Sequence, residues 1–185
     1  MRPMTRIIAG AARGRRLSVP AAGTRPTTDQ VRESVFNILT NRIDFSGLVV
    51  LDLFAGSGAL GLEALSRGAG SAILVESDAK AARVIGANIT SSGLSGARLV
   101  RRRVADYLRG GAPVADLVFA DPPYDLPDDQ VAEMLTLLSG GTLVSGGVVV
   151  LERSVRSAAT AWPDAFGDPE VRKYGETRVE LAELG

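Results

Sequence analysis

The spacing of apolar residues changes at about residue 48 of this 185-residue chain. Before that point, residues 5–19 have the pattern of two short strands around a link with glycine at each end. After it, short apolar runs alternate with amphipathic segments. The runs predict strands at residues 48–53, 72–75, 97–100, 115–120 and 147–151, and a closing hairpin at 171–174 and 178–184.

The amphipathic segments predict helices between the strands. Thr27 or Thr28 can cap the first helix, which ends near Arg42. The later helices are expected from the glycine-rich loop to about residue 67, at 79–90, near 105–108 and at about 127–138. Strands joined by helical crossovers indicate an α/β fold with a mostly parallel sheet. We expect an N-terminal hairpin extension at residues 1–24 and one larger domain at residues 25–185.

The composition narrows the chemistry that this chain can perform. Hydrophobic residues make up 45% and charged residues 23%, which is ordinary for a globular protein. Cysteine and histidine are absent, which excludes disulfides, a thiol nucleophile and an imidazole base. We expect no metal site, so catalysis must use carboxylates, hydroxyls, backbone groups or a bound cofactor.

Positive charge is concentrated near the N-terminus. Residues 1–42 hold eight arginines and two acids, although the whole chain has a formal net charge of +0. A basic arm on an acidic body favours a polyanionic partner, and a solvated terminus with scattered charges is the alternative. No apolar run suits a membrane span, and no apolar h-region follows the first residues. We therefore expect a cytoplasmic protein without a secretory signal or a membrane partner.

Gly56, Gly58 and Gly61 form a glycine loop between the first strand of the larger domain and its helix. Their G-x-G-x-x-G spacing allows a tight turn and lets a ligand approach the backbone. Glu76 closes the next strand, where an acid can accept hydrogen bonds from two ribose hydroxyls. These features also fit a nicotinamide cofactor, and a turn that only packs a helix on a strand is a further alternative.

Asp52 helps to decide between cofactors, because it lies just before the glycine loop. Its carboxylate would repel a pyrophosphate but attract the α-ammonium group of S-adenosylmethionine, which carries no phosphate. Asp106 could accept a hydrogen bond from an adenine amino group while the Ala105 N–H donates to a ring nitrogen. Both acids also suit helix caps, at Ala55 or Gly56 in the case of Asp52.

The sequence Asp121-Pro-Pro-Tyr124 follows the fourth strand of the larger domain, at the sheet edge where ligands gather. Two prolines hold the Asp121 carboxylate and the Pro122 carbonyl in place. These acceptors can bind both hydrogens of an exocyclic amine, orient its nitrogen toward a methyl group and stabilise the developing positive charge. Tyr124 offers a face on which an extruded base can stack. A rigid turn without chemistry is the alternative.

Residues 51–58 (LDLFAGSG) and 121–124 (DPPY) resemble motifs of class I S-adenosylmethionine-dependent methyltransferases that act on amino groups of nucleic-acid bases. Residues 6–10, 14–17, 25–39 and 173–177 narrow the resemblance to the bacterial small-subunit rRNA guanine-N2 methyltransferase family (RsmD). The resemblance covers essentially the whole chain. It implies a Rossmann-like sheet of seven strands, mostly parallel with one antiparallel strand.

The resemblance also implies S-adenosylmethionine as the cofactor and S-adenosylhomocysteine as its product. It implies that Gly56 and Gly58 border the cofactor, that Glu76 holds its ribose and that Asp106 holds its adenine. The full set of predicted cofactor contacts is Asp52, Phe54, Ala55, Gly56, Ser57, Gly58, Glu76, Ser77, Asp78, Ala105 and Asp106. The predicted catalytic residues are Asp121, Pro122, Pro123 and Tyr124.

The substrate that the resemblance implies is one guanine in 16S rRNA, within a partly assembled or complete 30S subunit. The predicted RNA contacts are Arg13, Arg15 and Arg16 at the hairpin tip and Arg25 and Arg32 beside the first helix. A second cluster, Arg101, Arg102 and Arg103, could touch phosphates or form a solvated strand end. We expect the protein to act as a monomer.

The residues alone lead only to the amino group of a base. An adenine-N6 methyltransferase acting on DNA or RNA is therefore the main alternative to a guanine-N2 enzyme. An NAD-dependent oxidoreductase and a non-catalytic RNA-binding assembly factor are alternatives from other functional classes.

Overall fold

The computed structural model describes residues 3–21 and 28–185. Their elements, in chain order, are β1 (Met4–Arg6), β2 (Arg16–Ser18), α1 (Asp29–Thr40), β3 (Val49–Leu53), α2 (Ala59–Ser66), β4 (Ser71–Glu76), α3 (Ala79–Ser92), β5 (Ala97–Arg101), α4 (Val104–Arg109), β6 (Ala115–Ala120), α5 (Asp128–Leu137), β7 (Leu143–Ser154), β8 (Glu170–Tyr174) and β9 (Thr177–Glu183). None of these helices is long and apolar enough to cross a membrane.

Strands β3 to β9 form one sheet in the order β5-β4-β3-β6-β7-β9-β8. Neighbouring strands from β5 through β7 are parallel, whereas β9 runs antiparallel to both β7 and β8. This topology confirms the predicted α/β sheet of seven strands with one antiparallel strand. Because β3, β4, β5 and β6 are parallel, their carboxyl ends meet at one edge of the sheet.

The two faces of the sheet carry separate apolar cores. Successive side chains of a strand point to opposite faces, and along β6 Leu117 and Phe119 pack with α1 and α2 while Val118 packs with α4 and α5. The central strands are therefore apolar on both sides. This explains why they appear as continuous apolar runs in the sequence.

The structure decides which residue caps the first helix, and it moves the start of one predicted strand. Thr28 is the cap of α1, since its hydroxyl accepts a hydrogen bond from the Val31 N–H at 3.2 Å. Strand β7 begins at Leu143, four residues before the predicted start. The cause is a π-helical turn that ends α5, in which Gly141 has a φ of 122° and redirects the chain into the strand early.

The predicted N-terminal hairpin is present and packs against the larger domain. Strands β1 and β2 pair antiparallel, and Ile7 and Leu17 are buried in the core shared with α1 and α2. Gly10 approaches the end of α2 so closely that a Cβ atom there would lie 1.8 Å from the carbonyl oxygen of Ser66. The domain boundary predicted at residue 24 lies outside the described residues.

Buried polar side chains of α2 and α3 bind the backbone of the hairpin. The Glu63 carboxylate accepts hydrogen bonds from the N–H groups of Ile8 and Ala9, at 2.7 and 3.0 Å. The Asn88 amide accepts from the Ser18 N–H at 2.8 Å and donates to the Ser18 carbonyl at 2.9 Å. Buried polar groups are costly without partners, so these contacts fix where the hairpin sits.

Candidate active site

A cleft of about 1150 Å³ opens at the carboxyl edge of the sheet. The segments that follow β3, β4, β5 and β6 line it, together with α5 and the base of the hairpin. A pocket for one drug-sized ligand measures roughly 300–1,000 Å³, so this cleft has room for a cofactor and part of a substrate. Across residues 3–21 and 28–185, no group of three or more acids is placed to hold a metal ion.

The glycine loop follows β3 and uses backbone conformations that favour glycine. Gly56 and Gly58 have φ angles of 58° and 79°, and Gly58 is the N-cap of α2. Gly61 has a different function, because a Cβ atom there would lie 2.5 Å from Leu74 and 3.2 Å from Asp52. The third glycine therefore lets α2 pack directly on the sheet.

Asp52 lines the cleft from within β3 and is 1% exposed. Its Oδ2 accepts a hydrogen bond from the Gly61 N–H at 2.9 Å, so the cap considered at Ala55 or Gly56 is made to Gly61 instead. Burial raises the pKa of Asp52 to about 8; the Gly61 hydrogen bond opposes this rise and the charge of Glu76 adds to it. A cation in the cleft would favour the ionised carboxylate.

Glu76 ends β4 and contacts the glycine loop from the neighbouring strand. Its Oε2 accepts a hydrogen bond from the Gly56 N–H at 3.0 Å, and its Oε1 accepts one from the Asp78 N–H at 2.9 Å. Each carboxylate oxygen has a second lone pair, so Glu76 can still accept hydrogen bonds from two ligand hydroxyls. Asp78 caps α3 by accepting from the Ala81 N–H at 2.8 Å.

Most of the other predicted cofactor contacts also line the cleft. They are Phe54, Ala55, Ser57, Ser77, Ala105 and Asp106. Asp106 is 58% exposed and lies 3.6 Å from the guanidinium of Arg109. Gly58 differs from this group, because a Cβ atom there would face Ile85 and Leu74 at 3.6 Å. Gly58 therefore lies on the side of the glycine loop that faces the core and does not line the cleft.

Phe54 and Asp121 leave the sheet side by side, because Leu53 and Ala120 are register partners on β3 and β6. The Asp121 N–H extends this pairing by donating to the Leu53 carbonyl at 3.4 Å. Phe54 has a φ of 60°, and among the described residues it is the one non-glycine residue with positive φ. Such strain commonly occurs at functional sites and turns the chain sharply from β3 into the loop.

The segment Asp121-Pro-Pro-Tyr124 lines the cleft along its whole length. Pro122 is buried, whereas Pro123 is exposed and Tyr124 is 46% exposed. The Pro123 carbonyl accepts a hydrogen bond from the Leu126 N–H at 3.0 Å, which closes a turn after the two prolines. The structure thus brings the predicted catalytic residues into one cleft with all of the predicted cofactor residues except Gly58.

The hairpin contacts the cleft with its base and extends away from it with its tip. Thr5, Val19 and Pro20 at the base line the cleft. The tip packs against the far end of α2, which is roughly 12 Å from the glycine loop by helix geometry. The predicted RNA contacts at this tip are exposed, and they are Arg13, Arg15 and Arg16. Arg25 lies outside the described residues.

Arg32 occupies a buried position, although the sequence placed it among the RNA contacts. It is 1% exposed, and burial lowers the pKa of its guanidinium against the opposing effect of Asp29. Its guanidinium donates to the Thr5 hydroxyl and to Asp29, both at 3.1 Å, and to the Arg6 carbonyl. Arg32 thus connects α1 to β1 at the wall of the cleft, and its contact with RNA stays a prediction.

Several residues of the site carry no signal in the sequence. Those on the hairpin base and on α5 are Thr5, Val19, Pro20, Gln130, Glu133 and Met134. They reach the cleft only through tertiary packing. Glu63, which holds the hairpin and does not line the cleft, does carry a signal, because an acid inside the apolar helix ALGLEALS indicates a buried partner.

Known proteins resemble this chain over most of its length. The family model described as Conserved hypothetical protein 95 matches residues 5–183. Ribosomal RNA small subunit methyltransferase D of Escherichia coli K12 is 39% identical over 178 residues, which are 95% of this chain and 88% of that protein. The YlbH protein of Bacillus subtilis is 35% identical over 185 residues, which are 95% of this chain and 97% of YlbH.

Solved structures share the whole fold. The yhhF protein of Escherichia coli has a TM-score of 0.85 and 34% identity over 98% of both chains. SMU.776, solved with S-adenosylhomocysteine, has a TM-score of 0.72 and covers 92% of this chain and 54% of its own; its 16% identity shows the fold alone. The chain therefore belongs to the family described as Conserved hypothetical protein 95, the RsmD family that its motifs resemble.

Proposed function

We propose that the protein transfers a methyl group from S-adenosylmethionine to the N2 amine of one guanine in 16S rRNA. The observation that carries this proposal is that Asp121 and Pro122 enter the same cleft that Asp52 and Glu76 line. One half of the cleft thus suits a cofactor and the other suits an amine. The name of the Escherichia coli relative supports small-subunit rRNA as the substrate class.

The β3–β4 side of the cleft fits S-adenosylmethionine, which supplies a methyl group on a positively charged sulfur. Asp52 is a buried acid whose ionised form needs a nearby cation, and the α-ammonium group of the cofactor is such a cation. Glu76 has lone pairs left for the ribose hydroxyls. Asp106 and the Ala105 N–H lie on the first turn of α4, where they can contact the adenine edge.

The β6 side of the cleft positions the amine. The Asp121 carboxylate and the Pro122 carbonyl accept its two N–H hydrogens, which directs the nitrogen lone pair toward the methyl carbon. As the nitrogen–carbon bond forms, the carbon–sulfur bond breaks with its electron pair on sulfur, and the nitrogen becomes positive. Asp121 stabilises this charge, and one amine proton then leaves to Asp121 or to water.

The target base has to leave its stack to reach this position. Tyr124 lines the cleft, is largely exposed and can stack against the extruded base. The choice of guanine N2 over adenine N6 rests on the resemblance to the guanine-N2 family. We propose that the protein acts as a monomer on a 30S particle in the cytoplasm. Arg13, Arg15 and Arg16 then bind phosphates of the RNA.

The test is methyl transfer to unmethylated 16S rRNA and to 30S particles, followed by nucleoside mass spectrometry. We expect N2-methylguanosine. N6-methyladenosine would contradict the guanine assignment and support the adenine-N6 alternative. Calorimetry that found NAD binding without S-adenosylmethionine binding would reverse the choice of cofactor.

A pair of matched variants tests the chemistry of the site. Asp121→Asn keeps the shape of the side chain and removes its charge, so we expect a loss of kcat of at least about 100-fold with unchanged cofactor affinity. Asp129→Asn changes an exposed acid at the start of α5 and should retain the parent rate. Equal rates for both variants would remove Asp121 from the mechanism.

A further inference from the structure

We infer that Arg101, Arg102 and Arg103 form a second contact for the RNA backbone, on the other side of the cleft from the hairpin. The inference rests on the proposed function and adds a surface to it. All three side chains are exposed at the end of β5 and in the turn to α4, and Arg102 and Arg103 line the cleft. Helix α4 packs on one face of the sheet and the hairpin on the opposite face.

The three arginines carry charge that the described part of the chain does not neutralise. None of them forms an ion pair there, whereas the nearby Arg109 lies 3.6 Å from Asp106 and also pairs with Glu133. Glu76 is the strand partner of Arg101, but its carboxylate oxygens bind backbone N–H groups instead. Adjacent cations repel one another, so an anionic ligand stabilises this arrangement.

The proposed cofactor does not supply that anion. S-adenosylmethionine has no phosphate and carries a cationic sulfur. Its one carboxylate shares a carbon with the ammonium group that we place at Asp52, so arginines beside its adenine gain nothing from it. The polyanionic substrate remains as the source of negative charge. Strand β5 is three positions from β6 in the sheet, which places the cluster roughly 14 Å from Asp121 by strand spacing. RNA that presents a base to Asp121 passes within reach of the long arginine side chains.

The test compares two variants that each lose three positive charges. One replaces Arg101, Arg102 and Arg103 with glutamine; Arg103 caps α4 only with its backbone, so the helix is retained. The control replaces three exposed cations near β8, namely Arg156, Arg172 and Lys173. Affinity for unmethylated 16S rRNA is measured at several salt concentrations, and S-adenosylmethionine affinity is measured by calorimetry.

We expect the plot of log affinity against log salt to become shallower by about 2 for the cluster variant and to stay unchanged for the control. Cofactor affinity should be the same in both. An unchanged slope in the cluster variant would overturn the inference, as would a loss of cofactor affinity without a change of slope. Because the slope is measured without methyl transfer, a parent protein that binds rRNA but fails to methylate it would contradict the proposed function alone.

Discussion

The carboxylate of Asp52 accepts a hydrogen bond from the Gly61 N–H at 2.9 Å, and the missing side chain of Gly61 is what allows this approach. The contact satisfies an N–H at the start of α2 that has no partner within the helix. It also keeps an acid buried at the edge of the cleft, with a pKa raised to about 8. Asp52 therefore supports the helix and also lines the cleft.

Asp52 should make the stability of the protein depend on pH. Its pKa is 3.8 when unperturbed and about 8 in the folded chain, so between these values the folded state holds a proton that the unfolded chain has released. The contribution of this proton to the free energy of unfolding is complete below pH 4. It is lost as the pH rises toward 8, by at most about 1.4 kcal/mol per pH unit. Relative to the parent, Asp52→Asn should therefore gain stability between pH 5 and pH 8. Urea unfolding measures this, and a difference that is constant with pH would contradict the raised pKa.

Cofactor binding should release a proton from Asp52. At pH 6.5 the buried carboxyl is protonated in the free protein, and a bound ammonium group would lower its pKa and expel the proton. Calorimetry with S-adenosylmethionine in two buffers of different ionisation enthalpy should report the release of close to one proton. The Asp52→Asn variant should bind more weakly and release none. A parent enthalpy that is the same in both buffers would show that the ammonium group lies elsewhere.

Substitutions at Gly10 and Gly14, the two ends of the hairpin link, should show how much stability is lost through backbone strain and how much through close packing. Gly10 and Gly14 both have a φ of 82°, but a Cβ atom at Gly10 would meet Ser66 at 1.8 Å, whereas nothing lies within 4 Å at Gly14. Gly14→Ala should cost about 1–2 kcal/mol from strain alone. Gly10→Ala should cost clearly more, because the hairpin must move off α2. Equal losses in urea unfolding would mean that the tip is not held against the helix.

Neutralising the hairpin tip should weaken RNA binding without affecting the fold. Replacing Arg13, Arg15 and Arg16 with glutamine removes three exposed charges, so the salt dependence of rRNA affinity should fall by about 2 in slope. The Michaelis constant for RNA should rise while the S-adenosylmethionine affinity stays the same. Binding measured by filter retention from low to high salt checks this, and a slope equal to that of the parent would exclude the tip from the RNA surface.

The sheet could be predicted because its central strands are apolar on both faces and each is followed by a turn signal. The site at the edge of the sheet could be predicted from the strand order. Because β3 and β6 are neighbours, the glycine loop and Asp121 have to lie together. Strand β7 begins earlier than predicted because a π-helical turn leaves no mark in the apolar pattern.

The burial of Arg32 could not be predicted from the sequence. Its position in a basic N-terminal region indicates a surface cation, but its partners include the Thr5 hydroxyl and the Arg6 carbonyl, which only tertiary packing brings near. The path of the connection from β7 to β8 also depends on tertiary contacts that the sequence does not reveal. Residues 155–169 form no helix and are held by Trp162 and Thr160, which donate to the buried Glu180 at 2.7 and 2.8 Å.

A crystal structure of the protein with S-adenosylhomocysteine tests the account most directly. It should show the ammonium group within hydrogen-bond distance of Asp52, the ribose hydroxyls at Glu76, and the sulfur facing Asp121 and Pro122 across a space that admits a purine. A cofactor bound outside the cleft would contradict the account. So would a sulfur turned away from Asp121, with no room for a base between them.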